Sequence, residues 1–417
     1  MGWRTGLAQQ QRWYFGQWLV GRGSPHLYFS KRQPLSRSVQ RFAEDPKKKL
    51  TRELSSATSA QAVLSVLEQE EMSNLNEVHI GAAFTRLARN KRDFTSAVRE
   101  SPVLRKLTAR LQQMMDAEGG LPARQCANVF WSMASLQSET PELQELLPRL
   151  IENAKFTAPD MAAQEVSNIV WACARSNLGS SQLKNLLPPI LERLVDRADE
   201  LIPQAISNCI WSSAKLKADA PEILEVMPVL MEMASEKALD FGAQDLSNII
   251  WSMATLREEM PELQEILPAL LMALPKRVGT LEAQAVANVV WSFGVLKVGD
   301  LAGDDVLGSL AKQGTSIIKK FSPQQLGNAA FGLALLGFKD AQFMSATAAQ
   351  AVASAPNWSK KDMSMNLPVI TWAFAIMKMP DSALLASTAK HLTPDRLAKE
   401  LKRRKLSPQD IERSQMG

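Results

Sequence analysis

Apolar and polar positions recur along this chain with a period of 40 residues. One copy reads Gln244-Asp-Leu-Ser-Asn248-Ile-Ile-Trp251, in which aliphatic residues precede an aromatic residue at fixed offsets. The aromatic position is held in turn by Trp131, Trp171, Trp211, Trp251, Trp291 and Phe331. A period of this length, kept over six copies, predicts a stacked array of helical repeats and therefore an all-α fold.

Three further positions keep the same period. An asparagine stands three residues before the aromatic residue, as Asn128, Asn168, Asn208, Asn248, Asn288 and Asn328. Seven residues before it stand Gln164, Gln204, Gln244, Gln284 and Gln324, with Arg124 in the first copy. Prolines recur as Pro148, Pro188, Pro228 and Pro268.

Each repeat reads as two helices. In the repeat 218–258 we expect a first helix from Pro221 to Ala234 and a second helix from about Phe241 to Leu256, with Asp240 as its N-cap. Pro228 inside a helix would cost about 3 kcal/mol. Its recurrence therefore predicts either a kinked helix, as in HEAT-like pairs, or a break between a short and a longer helix, as in armadillo-like triplets.

A helical wheel divides the second helix into two faces. The apolar face includes the residue three after the aromatic position, where a small side chain lets a neighbouring helix approach closely. The residues at that position are Ala134, Ala174, Ala214, Ala254, Gly294 and Ala334. We expect the opposite face to carry the glutamine, the asparagine, the residue four after the aromatic position and the small residue directly after it. Those small residues are Ser132, Ala172, Ser212, Ser252 and Ser292.

The repeats fade toward both ends, as is typical of solenoids. Phe84 takes the aromatic position in a degenerate first unit, and Trp372 takes it in a degenerate last unit, where Pro368 is expected to interrupt the helix. The predicted organisation is a basic N-terminal arm at 1–55, a degenerate repeat at 56–95, six α-solenoid repeats at 96–338, a degenerate repeat or cap at 339–392 and a basic helical tail at 393–417.

The net charge of +5 is unevenly distributed. Residues 1–60 hold 11 Lys and Arg against 3 Asp and Glu, and residues 390–417 hold 8 against 4. The array between them holds 29 against 36, which argues against strong non-specific binding to nucleic acid. The N-terminus has no acidic residue before Glu44, which predicts a transit peptide for a mitochondrion or chloroplast. A disordered basic arm on a cytoplasmic protein is the alternative. Lys47 to Lys49 are expected in a linker.

Neither the composition nor the motifs indicate a catalytic site or a metal site. Cys126, Cys173 and Cys209 lie among apolar residues without zinc-site spacing, so we expect buried thiols and no metal. The histidines are His26, His79 and His391, and phosphate-binding and nucleophile motifs are absent. No apolar run reaches the ~18–20 residues of a membrane span. We therefore expect neither an enzyme nor a cofactor, a small-molecule substrate or a membrane partner.

The signature from Gln164 to Ala174 and from Gln244 to Leu256 resembles that of the octotricopeptide repeat family. The resemblance implies an α-solenoid of algal chloroplasts and mitochondria that binds organellar RNA and assists its stability, processing or translation. This chain departs from the family in a longer period and in the lack of a recognisable C-terminal RAP-type domain.

The leading hypothesis is sequence-selective binding of single-stranded RNA, with one base read per repeat. The residue six before the aromatic position varies, as Gln125, Glu165, Ala205, Asp245, Ala285 and Gln325, and is the candidate for base recognition. Arg175 and Lys215, four after it, are candidates for phosphate contacts. The repeated asparagines and tryptophans serve either packing or binding. The alternative function is a protein-interaction scaffold that binds a peptide or helix in the solenoid groove.

Overall fold

The computed structural model describes residues 45–137, 139–176 and 178–389, together with residue 399. These residues form helices and connecting turns, and no β-strand occurs among them. The predicted N-terminal arm up to residue 44 and the predicted tail, apart from residue 399, lie outside this described part. Within the described ranges, no helix combines the length and apolar character that crossing a bilayer requires.

The described residues divide into two compact units, the first ending at Thr157 and the second beginning at Ala158. The first unit contains α1 Pro46–Ser56, α2 Ala60–Glu68, α3 Glu77–Arg89, α4 Ser96–Arg99, α5 Pro102–Asp116, α6 Ala123–Leu136, α7 Pro141–Gln144 and α8 Leu147–Thr157. The second contains α9 Ala163–Arg175, α10 Ser180–Asp196, α11 Pro203–Leu216, α12 Met227–Glu236, α13 Ala243–Leu256, α14 Leu267–Ala273, α15 Ala283–Leu296, α16 Gly299–Ser316, α17 Pro323–Leu336, α18 Ala341–Ser354, α19 Lys360–Ile376 and α20 Ser382–Thr388.

The second helices of the predicted repeats are α6, α9, α11, α13, α15 and α17. In the second unit each of them packs against the next, and α17 packs against α19. The first helices α10, α12, α16 and α18 pack against the neighbouring second helices. In the first unit α1, α3 and α6 pack in the same consecutive order. This arrangement confirms an all-α fold built as a solenoid of helical pairs.

One buried apolar residue leads into each second helix, and in the second unit a short 3-10 helix precedes that residue. Before α13 these are Ala238–Asp240 and Phe241. Asp240 is thus not the N-cap that the sequence predicts, because Gly242 holds that position and the helix begins at Ala243. The corresponding apolar residues before α6, α9, α11, α15 and α17 are Leu121, Met161, Leu201, Leu281 and Phe321, all buried.

The repeated proline occurs in two settings. Pro148, Pro228 and Pro268 are each the second residue of a helix that follows a separate short helical segment, so each lies where its missing N–H leaves no bond unmade. Pro188 instead lies inside the continuous helix α10. The break of an armadillo-like triplet therefore occurs in three repeats, and the uninterrupted helix of a HEAT-like pair occurs in one.

The ends of the described chain differ from expectation at two points. Lys47 to Lys49 belong to α1 rather than to a linker, because Asp45 caps this helix and its Leu50 and Leu54 are buried. At the other end α19 continues through Pro368 instead of being interrupted. Phe84 and Trp372, which hold the aromatic position of the two predicted degenerate units, are both buried.

Small residues set the spacing between second helices. A Cβ atom added to Gly332 would lie 2.4 Å from the carbonyl oxygen of Val290, and one added to Gly294 would lie 2.7 Å from the carbonyl oxygen of Gly332. The small residue after the aromatic position is likewise in the core and not on the polar face where we expected it. Ser132, Ser212, Ser252 and Ser292 are fully buried, and each donates its hydroxyl to the carbonyl four residues earlier.

A recurring hydrogen bond joins consecutive repeats, and the sequence did not reveal it. A polar side chain near the end of a first helix donates to the carbonyl of the buried apolar residue in the preceding repeat. In the second unit these bonds are Arg193 to Met161 at 2.7 Å, Lys237 to Leu201 at 2.6 Å, Arg277 to Phe241 at 3.1 Å and Gln313 to Leu281 at 2.8 Å. Arg110 and Asn153 do the same in the first unit. Each bond satisfies a buried carbonyl outside helical pairing.

Candidate functional site

Solvent exposure along the second helices is concentrated on one strip, although some of its residues are buried, namely Asn168, Trp171, Trp251, Asn288, Asn328 and Phe331. In α11 the strip comprises Gln204, Asn208, Trp211 and Lys215, whereas every other residue after Pro203 is buried. The spacings of four, three and four residues place these side chains on a single helical ridge. Across α9, α11, α13, α15 and α17 the same four positions define what we call the amide face. It contains Gln164, Asn168, Trp171, Arg175, Gln204, Asn208, Trp211, Lys215, Gln244, Asn248, Trp251, Thr255, Gln284, Asn288, Trp291, Val295, Gln324, Asn328, Phe331 and Leu335.

The amides of this face are paired within α9 and within α13. Gln164 Nε2 donates to Asn168 Oδ1 at 3.3 Å, and Gln244 Nε2 donates to Asn248 Oδ1 at 2.7 Å. Each glutamine therefore fixes the orientation of the asparagine one turn later. Each of these bonds lies within one helix. An asparagine with a purely structural role would be expected to bond to a neighbouring loop instead. The asparagines range from buried, as Asn168 is, to half-buried, as Asn208 and Asn248 are.

The tryptophans divide into two groups. Trp171 and Trp251 are 7% exposed and belong to the core, whereas Trp131, Trp211 and Trp291 are half-buried. The Arg175 guanidinium carbon lies 5.6 Å from the ring centroid of Trp171, within the range of a cation–π contact. The indole position thus contributes both to packing and to the solvent-exposed strip.

The variable position six before the aromatic residue lies at the third residue of each second helix. Glu165 accepts from the backbone N–H of Ala162 at 2.9 Å, Asp245 from Gly242 at 3.1 Å and Gln325 from Ser322 at 2.9 Å. These side chains therefore cap the helix start. Ala205 and Ala285 are buried at this position, and Gln125 is half-buried. Capping or burial accounts for every candidate at this position except Gln125, and none of the six lies on the amide face.

Burial of Asp245 predicts an unusual pH dependence. Burial raises the pKa of this carboxyl from 3.8 to about 6, against the opposing effect of hydrogen bonds from Gly242 and Ser207. The folded state therefore holds a proton that the unfolded state releases, and stability falls as pH rises from about 4 through 6. Asp245→Asn keeps an acceptor for Gly242. We expect it to stabilise the protein by about 1–3 kcal/mol at pH 7 and to flatten the profile.

Urea unfolding at pH 4 to 7 measures this effect. Glu165→Gln is the matched control, since Glu165 occupies the same position of α9 but is half-exposed. An equal gain from both variants, or no gain from Asp245→Asn, contradicts burial as the cause.

Charge is segregated between the two helical layers. The second helices α6 to α17 carry Arg124, Glu165, Arg175, Lys215 and Asp245, and both acids cap helix starts. Other exposed acids lie on the first-helix layer or in the turns next to the second helices. Those of the first-helix layer include Glu192, Glu225, Glu232, Glu236, Glu262 and Glu265, and those of the turns include Glu258, Glu259 and Glu282. The excess of acidic residues in the array therefore does not lie on the amide face.

Arg175 and Lys215 are neighbours across the contact between α9 and α11. The pKa of Lys215 is lowered, first by burial and second by the positive charge of Arg175. Lys215 has no ion pair with a residue that the structure describes. Two like charges held together on a half-buried surface favour an anion between them.

A row of basic residues next to the amide face was missed from the sequence. Lys217, Arg257 and Lys297 stand six residues after the tryptophan in three consecutive repeats, which is the signal that could have identified them. Lys217 Nζ donates to the Thr255 carbonyl at 2.8 Å and pairs with Glu259 at 2.7 Å. Arg257 donates to the carbonyl of Ala254 at 3.0 Å. Both bonds lie at the negative end of α13, and Arg257 also pairs with Glu258 at 2.9 Å.

The three cysteines are buried, as expected, and burial raises the pKa of each thiol to about 12. Such thiols are unreactive at neutral pH. The residues that the structure covers contain no cluster of His, Cys, Asp or Glu that could hold a metal ion.

One comparison with known families bears on the second unit. No curated protein matches the chain. A family model matches less than half of the chain, from within α11 into α20. The matched model is not that of the octotricopeptide repeat family, which the sequence signature resembles. The matched segment includes the amide face of α13, α15 and α17. Residues 213–383 are similar to the N-terminal domain of the Tbc2 translation factor.

Proposed function

We propose that this protein binds single-stranded RNA through the amide face, with sequence selectivity, and acts in the translation, processing or stability of organellar RNA. The similarity of residues 213–383 to a translation-factor domain supports a role in translation or a related RNA process. The organellar part of the proposal rests on the basic N-terminus, which is free of acidic residues before Glu44.

The observation that carries the proposal is the composition of the exposed strip. Five consecutive second helices carry an amide pair, an aromatic ring and a variable side chain at the same positions. The glutamine and the variable residue reach solvent in all five helices, the asparagine does so in α11 and α13, and the ring does so in α11 and α15. Amide groups can both donate to and accept from base edges, and partly exposed indoles can stack on bases. A surface kept only for solubility has no need of ordered amides and aromatic rings.

The segregation of charge supplies the second argument. Binding of RNA depends on cations near the strand, and the acidic array alone argues against it. The amide face carries Arg175 and Lys215, and the acids of its helices are engaged at helix starts. A strand on this face therefore meets positive charge, although the array as a whole is acidic.

We expect the double variant Arg175→Gln with Lys215→Gln to weaken RNA binding and its dependence on salt. Loss of two phosphate contacts lowers the slope of log affinity against log salt by about 1.4 and weakens binding about 10- to 30-fold at 0.1 M salt. The measurement is a salt titration of the full chain against labelled single-stranded RNA.

The matched control is Lys184→Gln with Lys276→Gln. It removes the same charge from exposed first-helix positions of the same unit. Equal weakening by both double variants would show that net charge, rather than the amide face, determines binding. Failure of the unaltered chain to bind RNA at 50 mM salt would refute the RNA proposal and favour the scaffold that binds a peptide or helix.

A further inference from the structure

The residue at the last position of the amide face, four after the aromatic residue, changes from basic to aliphatic along the second unit. Its residues are Arg175, Lys215, Thr255, Val295 and Leu335, in chain order. The other three positions remain constant, with Phe331 in place of tryptophan as the one exception. Because the helices around it are alike, this gradient is the feature that distinguishes one repeat surface from the next. All five side chains are half-buried and border solvent.

These residues stand at the same position of five helices that pack in consecutive order, so they follow one another from α9 to α17. The positive charges of Arg175 and Lys215 interact across α9 and α11. Lys217, at the end of α11, reaches the carbonyl of Thr255 on α13. At the other end the Cβ of Leu335 lies 3.1 Å from where a Cβ of Gly294, the residue before Val295, would be. A strand that crosses the amide face along this row meets cations first and aliphatic side chains last.

We propose that the row holds one RNA strand in two ways, with Arg175 and Lys215 on phosphates and Val295 and Leu335 on bases. This inference rests on the proposed function. A phosphate against valine and leucine would lose water without gaining a partner, which is costly. A base offers an apolar ring face, which aliphatic side chains can cover. The α15 to α17 end of the face is therefore where bases, rather than the backbone, make contact.

The test compares two kinds of variant in the same salt titration. Val295→Thr with Leu335→Gln changes polarity while nearly preserving shape, so folding is retained and is checked by circular dichroism. We expect affinity to fall about fivefold, as for loss of one or two buried methylene groups, with the salt slope unchanged. Arg175→Gln with Lys215→Gln lowers the slope instead. Met272→Gln, at a 70% exposed residue of α14, is the control and leaves both quantities unchanged.

Abasic RNA supplies the second readout. Abasic nucleotides remove bases but keep phosphates, so the unaltered chain loses affinity for them. The Val295→Thr, Leu335→Gln variant then loses little further affinity, because its missing contacts are to bases. An unchanged affinity of this variant for normal RNA, or a salt slope that falls as it does for the Arg175 and Lys215 variant, overturns the inference. In either case RNA binding by the unaltered chain still supports the proposed function.

Discussion

Replacing Gly332 by alanine will lower the free energy of unfolding of the second unit by about 2–3 kcal/mol. The added methyl group would lie 2.4 Å from the carbonyl oxygen of Val290 and 2.8 Å from the Cα of Trp291. Both contacts are to backbone atoms, so no side-chain rotation relieves them and α15 must move away from α17. The gain in helix propensity from glycine to alanine is about 1 kcal/mol and only partly offsets this cost.

The measurement for Gly332 is urea unfolding followed by circular dichroism, with tryptophan emission as a second probe. Gly308→Ala is the matched control, because Gly308 lies inside α16 and an added Cβ there meets nothing within 4 Å. We expect this control to be stabilised by about 0.5–1 kcal/mol. A Gly332→Ala variant as stable as the control would mean that α15 and α17 are farther apart than the structure places them.

The 40-residue pattern was sufficient to predict the second helices and which of their faces is polar. Burying Ile249, Ile250 and Leu256 on one side leaves Gln244 and Asn248 on the other, and helical geometry alone imposes this. The close approach at Gly294 followed from the small residues at that position. These features depend on one helix at a time, and for that reason periodicity reveals them.

Features that depend on where a helix begins were not predictable. Pro188 and Pro228 occupy the same repeat position, yet one lies inside a helix and the other near a helix start. The capping position of Asp245 became visible only once the helix was seen to begin at Ala243. The variation at this position predicts base recognition only if the side chain is exposed. The packing of α11 against α13 leaves Asp245 buried.

Contacts between repeats were also hidden, because their donors differ in type and position. Arg193 and Lys237 make the same kind of bond to the preceding repeat, but over 32 and 36 residues respectively. The shift equals one helical turn, so both side chains reach the same carbonyl position from one helix face. A bond that recurs from repeat to repeat but is made by residues of different types leaves no periodic signal in the sequence.

Substitutions at the tryptophan position can distinguish a role in packing from a role in RNA recognition. We expect Trp251→Ala to cost about 3–5 kcal/mol in unfolding free energy, because its side chain is in the core. Trp251→Phe is the matched control, since Phe331 fills the equivalent place of α17 and is fully buried there. The phenylalanine variant should retain most of the stability. A loss from Trp251→Ala below about 1 kcal/mol would contradict a core role.

Trp211 holds in α11 the position that Trp251 holds in α13, but it is half-buried rather than in the core. Its indole lies between Asn208 and Lys215 on the exposed strip. Trp211→Ala should therefore cost less stability than Trp251→Ala but weaken RNA binding by about 1–3 kcal/mol, the range for loss of one stacked base. Melting and RNA titration of both variants decide the matter. If Trp211→Ala melts as low as Trp251→Ala and binds RNA normally once folded, the indoles serve packing alone, and base contact must come from the amides and the residues after them.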